Sequence, residues 1–104
     1  MNSERKMIYQ LIVPEADGTE ELRVLQWHKG EGQPVGSDEL IVELETAKAV
    51  VEVRSPCACV LRKIASPDRS WAKPGLPLAW FSDQADEALQ IEQPAEFIAR
   101  WEVL

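Results

Sequence analysis

The sequence contains little cysteine and less histidine, which limits the chemistry open to its side chains. Two cysteines, Cys57 and Cys59, are too few and too close together for a framework of disulfides. A disulfide between them would be strained, and the single histidine, His28, does not complete a zinc site with two thiols. We therefore expect no metal site and two buried or half-buried free thiols. A redox role for the pair is the alternative.

The sequence also lacks a long apolar run. The apolar stretch at residues 7–13 is too short and too interrupted for a signal or membrane helix, so we expect a cytoplasmic protein with no membrane partner. Basic residues are in the minority, 11 against 18 acidic ones, and the net charge is −7. Nucleic acids and anionic membranes require basic patches, so we expect no nucleic-acid partner. An acidic surface favours basic protein partners, or it serves only solubility.

Two runs of alternating apolar residues, 40–45 and 49–54, flank a short gap near the middle of the chain. Their period of two predicts β-strands. The gap has room only for a tight hairpin turn. Lys48 therefore lies at an exposed tip held by two rigid strands, which is a better place for attaching a group than for packing.

The residues around this tip carry a family resemblance. The segment ETAKA at residues 45–49 resembles the ETDKA motif of lipoyl domains, whose lysine carries lipoic acid in amide linkage. Residues 27–35 resemble the W-x-x-x-x-G-D-x-V segment of that family. Residues 37–40 resemble the entry to its lysine hairpin and residues 54–60 the exit. The resemblance extends from about residue 8 to residue 81, which is most of the chain.

The resemblance implies a lipoyl carrier, a swinging arm that shuttles acyl groups and electrons between active sites. Lipoate would be attached to Lys48, and Glu45, Thr46, Ala47 and Ala49 would form the recognition turn. The implied partners are a lipoate ligase or lipoyl transferase, and dehydrogenase and acyltransferase subunits of a 2-oxo acid dehydrogenase-type complex. Such a carrier is not itself an enzyme and has no catalytic residue. The family usually has Asp before the lysine, so Ala47 leaves the identity of the partner open.

The resemblance also implies the fold. We expect an all-β flattened barrel of two four-stranded antiparallel sheets with pseudo-twofold symmetry, formed by a lipoyl-type domain at residues 7–82. A shift of 36 residues, which brings Val24 onto Val60 and Lys48 onto Gln84, aligns residues of similar type in the two halves. The loop at residues 65–75 is expected to hold Trp71 in the core. The loop at residues 15–21, an insertion in the first half, is expected to join the lysine turn in a surface that faces the partner.

The C-terminal tail, residues 83–104, is predicted to be partly helical. Pro94 could begin a short helix, because Phe97, Trp101 and Leu104 follow at helical spacing. Since the repeat ends near Phe81, we expect the barrel to fold without the tail.

Two further functions remain open from the sequence. A biotinyl carrier has the same fold, but its lysine typically lies between two methionines, where this chain has Ala47 and Ala49. An unmodified lipoyl-like scaffold would bind partners through its acidic face and its tail.

Overall fold

The computed structural model describes residues 8–13, 21–85 and 95–104. Ten strands lie in these ranges: β1 Ile8–Ile12, β2 Leu22–Trp27, β3 Pro34–Val35, β4 Leu40–Glu45, β5 Val50–Arg54, β6 Cys59–Ile64, β7 Trp71–Ala72, β8 Pro77–Ser82, β9 Ala95–Glu96 and β10 Arg100–Val103. They form two five-stranded sheets, in the orders β3-β6-β8-β1-β9 and β10-β5-β4-β2-β7. The strand pairs are antiparallel, apart from the parallel pair of β1 and β9.

The all-β class and the two-sheet barrel are confirmed. Without β9 and β10, each sheet has the four strands that were expected. The tail adds one strand to the edge of each sheet, which the sequence did not indicate. One core joins the inner faces of both sheets, and its fully buried large side chains include Leu11, Leu22, Ile41, Leu61 and Phe81.

The pseudo-twofold repeat is present, but the predicted shift of 36 residues is wrong by one. Strand β4 begins at Leu40 and its counterpart β8 at Pro77, which is a shift of 37. Val24 therefore corresponds to the equally buried Leu61 and not to Val60. Neighbouring positions carry similar residue types, so a shift of 36 residues also aligns residues of like character. Lys48 corresponds to residue 85 rather than to Gln84.

Backbone conformation supports the corrected shift. Four described residues have positive φ: Gly32 at 89° and Asp38 at 68° in the first half, and Arg69 at 68° and Gly75 at 90° in the second. Each second-half residue lies 37 positions after its counterpart. A left-handed residue therefore stands at the same two turns of each half, and glycine and non-glycine residues exchange places between the halves. Sequence similarity hid this relation because glycine is preferred but not required at such a turn.

The predicted helix after Pro94 is wrong for the described part of the tail, which forms β9 and β10 instead. In β10, Trp101 lies opposite Val53 and Val103 opposite Val51, so the strand continues the sheet of the lysine hairpin. The open edge of β5 offers backbone donors and acceptors along its whole length. A short helix would instead have to form its own unfavourable first turn, so edge pairing prevails. The remaining acidic part of the tail, residues 86–94, lies outside the described residues.

The tail also contributes to the core. The ring of Phe97 stacks on that of Phe81 with centroids 4.2 Å apart, and the Phe97 side chain is only 3% exposed. Ala99 is buried as well, and Trp101 packs against the edge of the core. This packing argues against the expectation that the barrel folds without its tail.

Candidate functional site

The lysine turn, residues 46–49, joins β4 to β5 and is organised by one hydroxyl group. The Thr46 backbone N–H donates to the Ala49 carbonyl over 2.9 Å. The Thr46 Oγ1 accepts from the backbone N–H groups of Lys48 and Ala49, each over 3.2 Å, and donates to the Ala49 carbonyl. The Thr46 side chain therefore satisfies the hydrogen-bonding backbone groups on the inner side of the turn. The sequence predicted a tight turn here and assigned Thr46 to recognition, but its role as the internal brace of the turn was missed.

Lys48 is the third residue of this four-residue turn and is exposed. Ala47 is exposed beside it, and Ala49 is half-buried where β5 begins. No ion pair within the described ranges involves Lys48. The amine is thus presented to solvent between two side chains that are too small to shield it.

The strands that carry the turn are fixed by the core. Val42 and Leu44 of β4 and Val53 of β5 are buried, and β4 lies between β2 and β5 in its sheet. A bulge between Leu40 and Val42 turns the adjacent residues Ile41 and Val42 both into the core. The strand is thereby anchored more firmly than strict alternation would allow. Because both strands are anchored in the core, the turn between them is held in place, and the base of the lysine side chain has a defined position.

A groove runs alongside the lysine turn, lined by Glu21, Arg23, Glu45, Thr46, Ala47, Trp71 and Lys73. Its floor follows a cross-strand row in which Trp71 lies opposite Arg23, and Arg23 opposite Glu45. Trp71 is 67% exposed, so the expectation that its loop holds it in the core is wrong. As the first residue of the two-residue strand β7, it corresponds to the exposed Pro34 of β3 under the corrected shift. That relation is the signal that could have placed it on the surface.

The acidic loop before β2 is described only at its last residue, Glu21, which is exposed and lines this groove. Residues 14–20 lie outside the described residues. The prediction that residues 15–21 join the lysine turn in one partner-facing surface therefore remains a prediction.

The two cysteines follow the hairpin: Cys57 lies between β5 and β6, and Cys59 is the first residue of β6. Cys57 is half-buried and Cys59 is buried, which confirms the expectation of shielded free thiols. Burial raises the pKa of the Cys59 thiol to about 11, so its reactive thiolate form is scarce at neutral pH. The Ser55 hydroxyl donates to the Cys57 carbonyl over 2.6 Å and thereby holds the turn that leads into β6. In the described ranges no group of three or more His, Cys, Asp or Glu side chains could hold a metal ion.

The family assignment follows from comparison with known sequences. The biotin–lipoyl family model, described as "Biotin-requiring enzyme", matches residues 10–81, well over half of the chain. The chain belongs to this biotinyl/lipoyl attachment family and is a lipoyl domain. The matched residues include both strands of the lysine hairpin and the whole of the turn. Attachment domains of this kind carry their cofactor on a lysine, and the cofactor of a lipoyl domain is lipoate in amide linkage.

Three relatives illustrate the similarity, and each is named as the dihydrolipoyllysine-residue succinyltransferase component of a 2-oxoglutarate dehydrogenase complex. The Rickettsia felis protein is 40% identical over 63 residues, 60% of this chain and 16% of that protein. The Cupriavidus necator protein is 39% identical over 62 residues, 59% of this chain and 15% of that protein. The Azotobacter vinelandii protein is 49% identical over 49 residues, 47% of this chain and 11% of that protein. The chain thus matches only between about a ninth and a sixth of the length of these relatives.

Proposed function

We propose that Lys48 is the lysine to which lipoate is attached, and that this domain is the swinging-arm carrier of a 2-oxo acid dehydrogenase-type complex. The observation that carries the proposal is the lysine turn itself. An exposed amine stands on a turn braced by the Thr46 hydroxyl, at the end of two strands anchored in the core. A ligase that recognises the shape of the turn rather than a long sequence requires an amine presented in this way.

The other lysines of the chain are placed differently. Lys29 is held in an ion pair, Lys63 lies within β6, and Lys73 lies in the groove beside the lysine turn. Lys6 is outside the described residues. Among the described lysines, Lys48 is therefore the one at a hairpin tip, which supports attachment at this position.

Attachment requires an activated acyl group supplied by a lipoate ligase or a lipoyl transferase. With a ligase, the uncharged Lys48 amine attacks the carbonyl carbon of the lipoyl adenylate. An amide bond forms, AMP leaves, and the amine loses a proton. When bound, lipoate supplies the acyl-transfer and redox chemistry of its dithiolane ring. The chain itself holds the attachment point in place and exposes it.

The names of the relatives support the choice of complex. We propose dehydrogenase and acyltransferase subunits as partners, with a 2-oxoglutarate-type complex as the first candidate. In this proposal the domain is a carrier and not an enzyme, and it works in the cytoplasm without nucleic acid. The described residues form no helix capable of crossing a membrane. The net charge of −7 favours docking to basic protein surfaces.

Mass measurement after modification tests the proposal. The chain is incubated with lipoate ligase, ATP and lipoate, and in parallel with biotin ligase, ATP and biotin. We expect one lipoyl adduct and no biotinyl adduct. Lys48→Arg should abolish the adduct, and Lys63→Arg, an exposed lysine changed in the same way, should keep it. A lipoyl adduct on Lys48→Arg would show that another lysine is the site, and a biotinyl adduct on the unaltered chain would favour the biotinyl carrier.

A further inference from the structure

We infer that the groove beside the lysine turn is a resting site for the ring-bearing end of the lipoyl arm, with Trp71 as its contact surface. The inference rests on the proposed attachment at Lys48 and extends it. In this state the arm does not move freely in solvent but returns to the surface of its own domain.

The groove reaches the residue next to the attachment point. Thr46 and Ala47 form part of its wall, and Lys48 follows directly in the chain. Because the groove reaches the residue before Lys48, an arm attached to the Lys48 amine can enter it by turning back over Ala47. The small Ala47 side chain leaves this path unobstructed, where the family's usual Asp would add a charge at the entrance.

Trp71 provides the apolar surface that the arm requires. Its side chain is 67% exposed, although large apolar side chains gain from being covered. The arm consists of an aliphatic chain and a dithiolane ring, and sulfur makes favourable contacts with aromatic rings. A neighbouring groove shares Trp71 and Lys73 and adds Leu76, which is also exposed, so the apolar surface extends beyond the first groove.

The charges that line the groove suit an uncharged occupant. Arg23 and Lys73 contribute two positive charges, and Glu21 and Glu45 contribute two negative ones. None of the four belongs to an ion pair within the described ranges. The groove is thus balanced overall, and the aliphatic stems of Arg23 and Lys73 add apolar wall. Lipoyl amide carries no charge, so the groove neither repels it nor requires a counter-ion.

Arm mobility and tryptophan emission test this inference without any assay of a partner enzyme. The whole chain is lipoylated with ring-labelled lipoate, and the adduct is confirmed by mass for the unaltered chain, Trp71→Gln and Ile98→Gln. Ile98 is a matched control because it is 66% exposed but lies in the tail and does not line the groove. The ring signals of the arm are compared with those of free lipoamide by nuclear relaxation. Emission is recorded before and after modification, because a dithiolane in contact with an indole quenches its fluorescence.

We expect faster relaxation than free lipoamide and quenched emission in the unaltered chain and in Ile98→Gln. In Trp71→Gln we expect the ring signals to relax more slowly than in the unaltered chain and the quenching to be lost with the indole, with the lipoyl mass and the thermal unfolding curve retained. An arm equally mobile in the unaltered chain and in Trp71→Gln would overturn the inference. Release of the arm by Ile98→Gln as well would overturn it, because the effect would not be specific to the groove. Absence of the lipoyl mass from the unaltered chain would instead overturn the proposed attachment.

Discussion

Removal of the Phe97 ring should destabilise the whole barrel, although the residue lies in the tail. Phe97 is 3% exposed and stacks on Phe81, which is fully buried. Phe→Ala substitutions at buried sites typically cost about 3–5 kcal/mol, which includes the cavity that remains. Since a domain of this kind is stable by roughly 5–15 kcal/mol, Phe97→Ala should remove a large part of its stability. For about 3 kcal/mol, the midpoint of thermal unfolding should fall by roughly 12–24 °C.

Urea unfolding followed by circular dichroism measures this loss. Ile98→Ala is the matched control, since it is the next residue along the tail and is exposed. It should change the free energy of unfolding by less than about 0.5 kcal/mol. Truncation after Ser82 should destabilise the barrel at least as strongly as Phe97→Ala. If Phe97→Ala or the truncated chain unfolds with the midpoint of the unaltered chain, the tail is not part of the core, and the expectation drawn from the sequence is restored.

Two further predictions concern single contacts. Thr46→Val removes the hydroxyl that braces the lysine turn, so it should lower the free energy of unfolding by about 1 kcal/mol and slow the lipoylation of Lys48. Thr46→Ser keeps the hydroxyl and should retain both the stability and the lipoylation rate. Equal lipoylation rates for the two variants would show that the brace is not needed. Tyr9, the single tyrosine, has its pKa raised to about 12 by burial first and then by its hydrogen bond to the Asp83 carboxylate. Its absorbance should therefore titrate near pH 12, and Asp83→Asn should lower the midpoint only in part. The stabilisation from this raised pKa is fully present below pH 10 and is lost as the pH rises through about 12. A titration midpoint of Tyr9 near pH 10 in the folded chain would contradict its contact with Asp83.

The features that the sequence predicted well depend on strong local patterns. Alternating apolar residues on both sides of Lys48 indicated two strands, and the gap between them required a tight turn. Both are present as β4, β5 and the turn at residues 46–49. The tail was predicted poorly because its apolar residues are too sparse to distinguish a helix from a strand. Pairing with β5 is a long-range event, and nothing within residues 95–104 records which edge is open.

The groove could not be predicted for a different reason. It is formed by residues from β2, β4 and β7 with Glu21 and Lys73 beside them, and only the register between strands brings these residues together. The sequence indicated where Trp71 lies in the chain but not on which side of the sheet. Tryptophan is a highly buried residue on average, so a place in or near the core was the ordinary expectation. The exposure of Trp71 can be interpreted only once the register of β7, β2 and β4 places it beside the lysine turn.

The tail and the lysine turn are linked through β5, and this gives the tail a place in the proposed function. With β10 paired to it, β5 is an inner strand, and the lysine hairpin has a neighbour on each side, β2 and β10. Side chains reinforce the pairing. The Arg54 guanidinium of β5 donates to the Glu102 carboxylate of β10 over 2.8 Å, and Arg100 of β10 pairs with Asp38 before β4. A carrier needs a mobile arm on a base that does not move, and an edge hairpin frays more readily than one with neighbours on both sides. The tail thus supports the lysine hairpin along the edge of β5, which a four-stranded sheet would leave open. It also covers this edge, which could otherwise pair with a second chain.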